Sequence, residues 1–427
     1  MKSEIRSIRA REIIDSRGNP TVEVEIRTAS GLTARAASPS GASTGIHEAI
    51  EIRDTEDNRY GGKGVTKAVK RILEELTPIL IGCDVSDQTK LDRLMISADG
   101  TNNKGRIGAN STIAVSMAIS RFGAMVAGVP LWEYLGGPKA RLLPVPMMNV
   151  LNGGVHVNWE GPDFQEYMIA PYGAFTYREA LRWGSETYHA LKVILKELEF
   201  ATCVGDEGGF APRIADNEKP LELITEAIQR AGYVPGKEIG IAIDPASSAF
   251  FRGGKYVLAT EKKELGAEEM VDLYESLTES YPIILIEDGL SEDDWIGWES
   301  LTNRLGDRVE LVGDDLFVTN VGRIQEGVNR RIANSVLIKP NQIGTVTETL
   351  EAVSLAHSNG YGSMISHRSG ETVDSFIADL AVATSSGHLK TGAPCRGERV
   401  EKYNQLLRIE EALGDDAEYA GRSGFVR

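Results

Sequence analysis

The feature that most constrains the fold is a regular alternation of short apolar runs with longer amphipathic stretches through most of the chain after residue 144. The apolar runs are typical of buried strands, and they lie at 145–150, 167–170, 202–205, 239–243, 283–286, 310–312, 336–338 and 362–365. The amphipathic stretches predict helices at 177–198, 218–231, 267–280, 293–305, 320–330, 344–357 and 371–385. Strands that alternate with helices form a parallel sheet with right-handed crossovers. Eight such strands predict closure into an α/β barrel.

The N-terminal part of the chain has a different pattern. Three strand-like runs at 4–14, 21–26 and 32–37 predict an antiparallel meander, and helical periodicity follows at 65–76, 86–96 and 109–127. Pro130 and the Gly-Gly-Pro at 136–138 end the helical pattern. We therefore expect an N-terminal α+β domain over 1–138 and a C-terminal barrel domain over 139–427. The hydroxyl-rich loop at 38–45 is interpreted either as a mobile lid or as a plain surface loop.

Charge and cysteine content restrict the partners and the location. The 427-residue chain carries 46 basic and 62 acidic side chains, so its formal net charge is 46 − 62 = −16. This balance argues against a nucleic-acid or anionic-membrane partner. The cysteines Cys83, Cys203 and Cys395 are widely spaced and form neither a metal motif nor a disulfide framework. No apolar run approaches membrane-spanning length, and we expect a soluble, cytoplasmic protein.

Acidic side chains stand at the ends of three of the predicted barrel strands. Asp244, Glu287 and Asp314 each follow a short apolar run, and the carboxyl ends of barrel strands meet at one mouth. Three converging carboxylates repel each other unless a cation joins them, and an all-oxygen ligand set suits Mg²⁺. The alternative is that each acid caps the N-terminus of the helix that follows it.

A lysine and a carboxylate pair are candidates for acid–base chemistry at the same mouth. Lys339 ends the apolar run within 334–344, and it either faces the active-site mouth or pairs with a neighbouring carboxylate. To act as a base at neutral pH, it must overcome a bias of about 4–5 kcal/mol toward the ammonium form, which a metal or Lys390 would help to provide. Glu207, on a glycine-rich segment, is the matching acid, and Glu166 is placed to share its proton.

The polar segment 366–372 predicts an anion site. Arg368 and Ser369 lie beside a predicted helix N-terminus, an arrangement that binds phosphate or carboxylate. The alternative is an arginine held in a structural ion pair. His156 follows the Gly153-Gly154 pair and is placed on a hinged loop that can contact substrate.

Six motifs, in order along the chain, resemble those of the enolase family: 15–24, 40–45, 205–210, 313–320, 366–372 and 390–394. The resemblance extends from end to end and implies a β3α4 domain before a barrel whose first strands are antiparallel. It implies the reversible dehydration of 2-phosphoglycerate to phosphoenolpyruvate, with two Mg²⁺ ions per active site. It also implies a homodimer or an octamer of dimers.

The resemblance also assigns roles to individual residues. It implies that Asp244, Glu287 and Asp314 bind the first Mg²⁺ and that Ser43 completes the site of the second. Lys339 removes the C2 proton, and Glu207 protonates the departing hydroxyl with support from Glu166. The substrate is held by His156, Gln165, Arg368, Ser369 and Lys390.

Three positions depart from the family pattern. The loop between His156 and Gln165 is one residue longer and bulkier than usual, Gly289 replaces a proline, and Pro340 follows Lys339. Two alternative functions are a related enzyme acting on a non-phosphorylated acid, which would leave Arg368 and Ser369 without a phosphate, and a non-catalytic binding or structural protein of the same fold.

Overall fold

The computed structural model of the chain describes residues 3–28, 31–41 and 44–425. It begins with an antiparallel sheet of three strands, Ile5–Ile14, Pro20–Thr28 and Thr33–Ala37, paired in chain order. Val22, Val24 and Ile26 alternate along the middle strand and are buried, as a period of two requires for a sheet with one face on the core. The predicted meander is confirmed.

Helices cover this sheet. Their bounds are Thr66–Arg71, Gln88–Asp99, Ala109–Ala127 and Leu131–Gly136, and the first continues through a π-helical segment, Ile72–Leu76, and a turn, Thr77–Leu80. Helix Ala109–Ala127 packs on the second and third strands. It is buried along most of its length, because small residues such as Ala114 and Ala118 allow close approach on several faces.

A closed barrel of eight strands forms the rest of the core. In chain order, and in order around the barrel, the strands are Val145–Asn152, Glu166–Ala170, Gly240–Asp244, Ile283–Glu287, Glu310–Gly313, Ser335–Ile338, Gly362–Ser366 and His388–Lys390. Every one of these residues is buried. The predicted α/β barrel is confirmed.

One predicted barrel strand is wrong. The run at 202–205 makes only an isolated bridge between Val204 and Phe210, and Cys203 and Val204 are exposed. The eighth strand is His388–Lys390, which pairs with the strands on both sides to close the barrel. Its first and last residues, His388 and Lys390, are polar, so the segment does not form an apolar run and was not predicted as a strand.

The second strand, Glu166–Ala170, runs antiparallel to both of its neighbours, as the family resemblance implies. Its first residue, Glu166, is registered opposite Asn152 and Asp244. A reversed strand brings its amino end to the edge where the other strands have their carboxyl ends. Glu166 is therefore delivered to the same mouth as the strand-end acids.

Helices surround the barrel. Their bounds are Tyr177–Glu197, Lys219–Arg230, Ala267–Ser280, Trp295–Leu305, Val321–Arg330, Val346–Ser358, Phe376–Ala383 and Gly397–Leu413. The helix predicted at 371–385 begins later because the segment before it is tied to other parts of the fold: Lys402 Nζ donates to Glu371 Oε2 and Arg121 Nη1 donates to Asp374 Oδ2. Within the described ranges, the helices lack the combination of length and apolar character needed to cross a bilayer.

Candidate active site

A small polar cavity lies at the carboxyl edge of the barrel. It is lined by His156, Gln165, Glu166, Glu207, Asp244, Asp314, Lys339, Ser366, His367, Arg368, Ser369 and Lys390. The structure thus gathers ten of the predicted site residues, which come from distant parts of the sequence. Glu287 lies beside them and is fully buried. Ser43, predicted at the second metal site, falls outside the described residues.

Lys390 contacts carboxylates that lie at the ends of several barrel strands. Its Nζ donates to Asp244 Oδ2 at 3.0 Å and to both carboxylate oxygens of Glu287, at 2.8 and 2.7 Å, and it lies 3.2 Å from Glu166 Oε1. Asp244 and Glu287 are the last residues of their strands, so backbone geometry fixes where they point. These contacts bring acids from three strands onto one ammonium group.

The capping alternative fails for these acids. The helices after Glu287 and Asp314 are capped by Asp294 and Asn320, whose side chains accept hydrogen bonds from the first-turn amides. The helix that follows Asp244 is Ala267–Ser280, and its N-cap residue is Gly266. The carboxylates of Asp244, Glu287 and Asp314 are therefore not needed for helix termination.

The electrostatics of this cluster favour a bound cation. Burial raises the pKa of Glu287 well above its usual range, and Asp244 raises it further despite the opposing effect of Lys390. Burial and neighbouring acids also raise the pKa of Asp315, to about 8. Oxygen atoms of Asp288, Asp314 and Asp315 lie within 4.8 Å of one another. A buried, all-oxygen set with surplus negative charge suits a hard cation, and of the predicted ligands Asp244, Glu287 and Asp314 only Asp314 belongs to this close group.

Lys339 directly follows the strand Ser335–Ile338, and its ammonium group donates to Asp314 Oδ2. Burial lowers its pKa, but Asp314 and, to a smaller extent, Glu287 raise it, and the net effect is a raised pKa. Gln342 Nε2 donates to the other oxygen, Asp314 Oδ1, at 2.8 Å. Both predicted environments of Lys339 are therefore present together: it lines the cavity, and it pairs with a carboxylate.

Glu166 and Glu207 form a carboxylate pair with opposite tendencies. Their oxygens and a ring nitrogen of His156 lie within 4.8 Å of one another. Burial raises the pKa of Glu166 well above its usual range, and Glu207 adds to this effect. Burial opposes ionisation of Glu207 as well, but His367 and His156 outweigh it and hold its pKa well below the usual range. Of the two carboxyl groups, Glu166 is therefore the one whose protonated form is favoured.

Hydrogen bonds and small residues position Glu207. Ser369 Oγ donates to Glu207 Oε1 at 2.8 Å, and Asn149 Nδ2 donates to Oε2 at 3.2 Å. A Cβ atom at Gly205 would lie 2.2 Å from the amide nitrogen of Asn152, and one at Gly209 would lie 2.6 Å from its oxygen. The glycines on either side of Glu207 thus allow its segment to pack directly on the first barrel strand.

Arg368 meets an acid from the N-terminal part of the chain. Its Nη1 donates to Glu48 Oε2 at 2.9 Å, its Nη2 donates to Glu48 Oε1 at 3.1 Å, and Nη1 also donates to Asn341 Oδ1 at 3.1 Å. The two predicted environments again coexist, because Arg368 lines the cavity while it is in a buried ion pair. The base of the preceding loop contacts the barrel where Ser40 pairs with Gly370.

His156 projects from a short 3-10 turn, Gly154–Val157, and its side chain is buried. Its Nε2 lies 3.4 Å from Ser369 Oγ and 3.8 Å from Glu207 Oε1. Asn158 and Trp159, in the longer loop, adopt φ angles of 52° and 62°. Two left-handed residues in succession accommodate the additional length while His156 stays in the cavity wall.

The fold also accommodates Pro340 and Gly289, the other two departures from the family pattern. Pro340 is the first residue of the turn Pro340–Ile343, where its missing N–H costs nothing. Gly289 uses its carbonyl oxygen as an acceptor for Ser247 Oγ and Tyr274 OH, each at 2.9 Å.

Sequence reasoning gave no role to four residues that support the site: Glu48, Gln342, His367 and Arg399. His367 lies in the polar segment 366–372, and the polarity of that segment was a signal that could have identified it as a site residue. Glu48 follows the loop at 38–45 closely, but its partner Arg368 is 320 residues away in sequence. Arg399 is one of several charged residues in an amphipathic helix, and only the fold distinguishes it from the others.

Comparisons with known proteins agree with this geometry. Residues 5–135 match a family model described as the enolase N-terminal domain, and residues 140–427 match one described as the enolase C-terminal TIM barrel domain. A protein named Enolase 2 from Pseudomonas syringae pv. syringae (strain B728a) is 59% identical over 427 residues, which is 100% of both chains. Enolase 2 of Methanospirillum hungatei JF-1 is 60% identical over 425 residues, 100% of this chain and 99% of its own. Enolase of Rubrobacter xylanophilus is 57% identical over 423 residues, 99% of this chain and 98% of its own.

Proposed function

This chain belongs to the enolase family of lyases, and from that premise we propose that it catalyses the reversible dehydration of 2-phospho-D-glycerate to phosphoenolpyruvate and water, as a step of glycolysis and gluconeogenesis. One observation carries the proposal. The strand before Lys339 and the strand that begins at Glu166 are four positions apart around the closed barrel of eight. A candidate base and a candidate acid pair therefore face each other across the cavity. Loss of a proton and a hydroxyl from adjacent carbons needs this arrangement.

Lys339 is the base in this proposal. Its Nζ accepts the proton from C2, and the electron pair of the broken C–H bond begins the new double bond between C2 and C3. The ammonium group must first lose its proton, and Asp314 opposes this by raising the pKa of Lys339. Arg368 and Lys390 act in the favourable direction, since both cations lower that pKa.

Glu207 is the acid. It takes over the proton of the pair from Glu166 and delivers it to the departing C3 hydroxyl, which leaves as water as the double bond forms. Glu166 holds the proton of the pair in the resting state, because burial and the Glu207 charge raise its pKa. Glu166 Oε2 is buried and finds no hydrogen-bond partner among the described residues. We propose that Glu166 contacts the substrate through this oxygen.

The remaining residues of the cavity bind the substrate. Arg368 and Ser369 take the phosphate through a guanidinium and a hydroxyl group, and a guanidinium presents two parallel donors to such a group. Lys390, His156 and Gln165 contact the other polar groups. The buried Gln165 Oε1 also finds no partner among the described residues, and it is available to accept a substrate hydroxyl.

Magnesium is part of the proposal. Asp244, Glu287 and Asp314 would hold one ion and Ser43 would contribute to a second. When bound, Mg²⁺ supplies positive charge that stabilises the extra negative charge of a substrate carboxylate after proton loss. Lys390 contributes a fixed cation beside the same acids.

The test is the absorbance of phosphoenolpyruvate formed from 2-phosphoglycerate by the metal-stripped protein with and without added Mg²⁺. We expect product only when Mg²⁺ is present. Turnover of a non-phosphorylated 2-hydroxy acid, with no activity on 2-phosphoglycerate, would favour the related enzyme instead. A folded protein that binds Mg²⁺ but converts neither substrate would favour the non-catalytic alternative.

We also propose the division into domains 1–138 and 139–427, a homodimer or an octamer of dimers, and a cytoplasmic location. The helix Leu131–Gly136 and the strand Val145–Asn152 lie on either side of the proposed boundary. Three free cysteines suit a reducing compartment. Light scattering coupled to gel filtration tests the assembly, because a monomer at micromolar concentration would contradict it.

A further inference from the structure

Arg399 is a cation in an unusual position. It has no exposed surface, and it lies in the first turn of the helix Gly397–Leu413. A positive charge near a helix N-terminus interacts unfavourably with the helix dipole, and a buried charge is costly unless hydrogen bonds compensate for it. The neighbouring Glu398 carboxylate lies 3.4 Å from Arg399 Nε, and the remaining compensation must come from the partners of the two Nη atoms.

Those partners are mostly groups of the candidate active site. Nη1 donates to His367 Nδ1 and to the Arg368 carbonyl, both at 2.6 Å. Nη2 donates to the Ser369 carbonyl at 2.6 Å and to the Asp206 carbonyl at 3.1 Å. The guanidinium thus joins the segment that carries Glu207 to the segment that carries Arg368 and Ser369.

The bond to His367 fixes where that ring carries its proton. An arginine guanidinium only donates hydrogen bonds, so Nδ1 of His367 is an unprotonated acceptor. Burial lowers the pKa of His367 to about 3, against the opposing effect of Glu207, and the ring is neutral at pH 7. Its proton is therefore on Nε2, which lies 3.4 Å from Glu207 Oε2, a close electrostatic contact without hydrogen-bond geometry. In the other tautomer, a nitrogen lone pair would face this carboxylate.

We propose that Arg399 is a positioning residue for the acid step: it holds His367 in the Nε2–H tautomer, and His367 in turn orients the Glu207 carboxylate. This inference rests on the proposed function, because it assigns Arg399 to the half of the reaction that Glu207 performs. A purely structural arginine would tie the two segments together without any selective effect on dehydration.

The first experiment needs no substrate. The ring nitrogens of ¹⁵N-histidine-labelled protein are observed by NMR at pH 7, with His367 assigned by its loss in His367→Gln. We expect the Nε2–H tautomer in the unaltered protein, a mixture of tautomers in Arg399→Met, and partial recovery in Arg399→Lys, which keeps a cationic donor. A proton on Nδ1 of His367 in the unaltered protein would overturn the proposal, and this result is independent of whether any Arg399 variant folds.

The second experiment separates the two halves of the reaction. In Arg399→Lys and Arg399→Met, kcat for dehydration should fall about tenfold or more, while solvent exchange of the C2 hydrogen should stay within about threefold. The control is Arg396→Gln, because Arg396 also donates to a carbonyl of the Glu207 segment, Gly205 O at 3.4 Å, but does not bond to His367. It should leave both rates and the His367 tautomer nearly unchanged.

Equal loss of exchange and dehydration in the Arg399 variants, with the tautomer retained, would make Arg399 merely structural. An unaltered protein without turnover would overturn the proposed function, yet the tautomer would still test the arginine contact.

Discussion

At the scale of single residues, the cavity gives chemically similar groups different surroundings. Glu166 and Glu207 are both buried glutamates, but burial and a like charge raise the pKa of Glu166, while His367, His156 and the Arg399 guanidinium together lower that of Glu207. Lys339 and Lys390 differ in the same way, since Lys390 contacts three acids and Lys339 pairs with one. These differences allow neighbouring groups of one kind to hold different roles.

The proposed division of labour predicts that the two halves of the reaction separate in variants. Lys339→Ala should nearly abolish both dehydration and exchange of the C2 hydrogen with solvent, because both need the base. Glu207→Gln should reduce dehydration by about a hundredfold or more but leave exchange measurable. Proton NMR in D₂O follows exchange, and absorbance follows phosphoenolpyruvate. Loss of exchange in Glu207→Gln but not in Lys339→Ala would reverse the assignment.

Residues at strand ends were predictable because strand geometry itself determines their location. Asp244, Glu287, Asp314 and Lys339 follow apolar runs, and closing the barrel brings such positions together. Arg399 and Glu48 were not predictable in this way, because their partners are distant in sequence and no local pattern indicates a buried cation or a buried ion pair.

At the scale of elements, loops and short strands decide what the site contains. The segment after residue 40 reaches the barrel mouth, and there Glu48 occupies both Nη atoms of Arg368. A phosphate group would use the same donors. Glu48 and a bound anion therefore compete for one guanidinium.

This competition predicts that Glu48→Gln binds anions more tightly. Removing the carboxylate charge should lower the dissociation constant of inorganic phosphate, and the KM for 2-phosphoglycerate, by about threefold to tenfold, or about 1 kcal/mol. Titration calorimetry measures the first quantity. Glu51→Gln is the matched control, because Glu51 hydrogen-bonds to Arg53 and its replacement should have a smaller effect. Weaker phosphate binding in Glu48→Gln would mean that Glu48 orients Arg368 instead of competing for it.

A second element-scale prediction concerns two aspartates near Arg121. Burial raises the pKa of Asp379 to about 6. As the pH rises above about 4, the unfolded chain loses this proton before the folded chain does, so ionisation destabilises the fold progressively until about pH 6. Asp379→Asn removes this cost. It should raise the free energy of unfolding by about 3 kcal/mol at pH 7 and change it little at pH 4.

Asp374→Asn provides a control of opposite sign. Burial of Asp374 is outweighed by its ion pair with Arg121, at 2.6 and 2.5 Å, which lowers its pKa. Its charge stabilises the fold above the unfolded pKa, and this contribution is lost as the pH falls. Asp374→Asn should therefore destabilise the protein at pH 7 and less so at acidic pH. Urea unfolding at both pH values measures these effects, and the same pH dependence in both variants would contradict the assignment.

Element prediction succeeded where the hydrophobic periodicity was strong, and it failed where a strand depends on pairing with segments that are distant in sequence. Seven of the eight predicted barrel strands are present, including the short run before Lys339. The run at 202–205 looked like a strand, and His388–Lys390 did not, because only closure of the barrel supplies partners for a three-residue strand with polar ends. Periodicity does not determine the direction of a strand either, so the reversal of the strand Glu166–Ala170 was predicted only from the family resemblance.

At the scale of the whole molecule, part of the negative charge is concentrated at the mouth of the barrel. The chain has a net charge of −16, and acids concentrated at the barrel mouth are among the most deeply buried. Asp244, Glu287 and Asp314 converge only after the barrel closes, so the unfolded chain offers no equivalent site. Any cation that binds there should stabilise the fold as a whole by mass action.

The last prediction uses this linkage to test the metal site without relying on activity. Mg²⁺ at one hundred times its dissociation constant should stabilise the folded protein by about 2.7 kcal/mol, seen as a rise in Tm over a sodium chloride control of equal ionic strength. Asp314→Asn should lose most of this rise, because one charged ligand is gone. Its Tm without Mg²⁺ should also fall, since Lys339 loses its buried partner. Asp379→Asn, a matched change at a buried aspartate of the helix Phe376–Ala383, should keep the full response to Mg²⁺. An equal rise in Asp314→Asn would place the ion elsewhere and exclude Asp314 as a ligand.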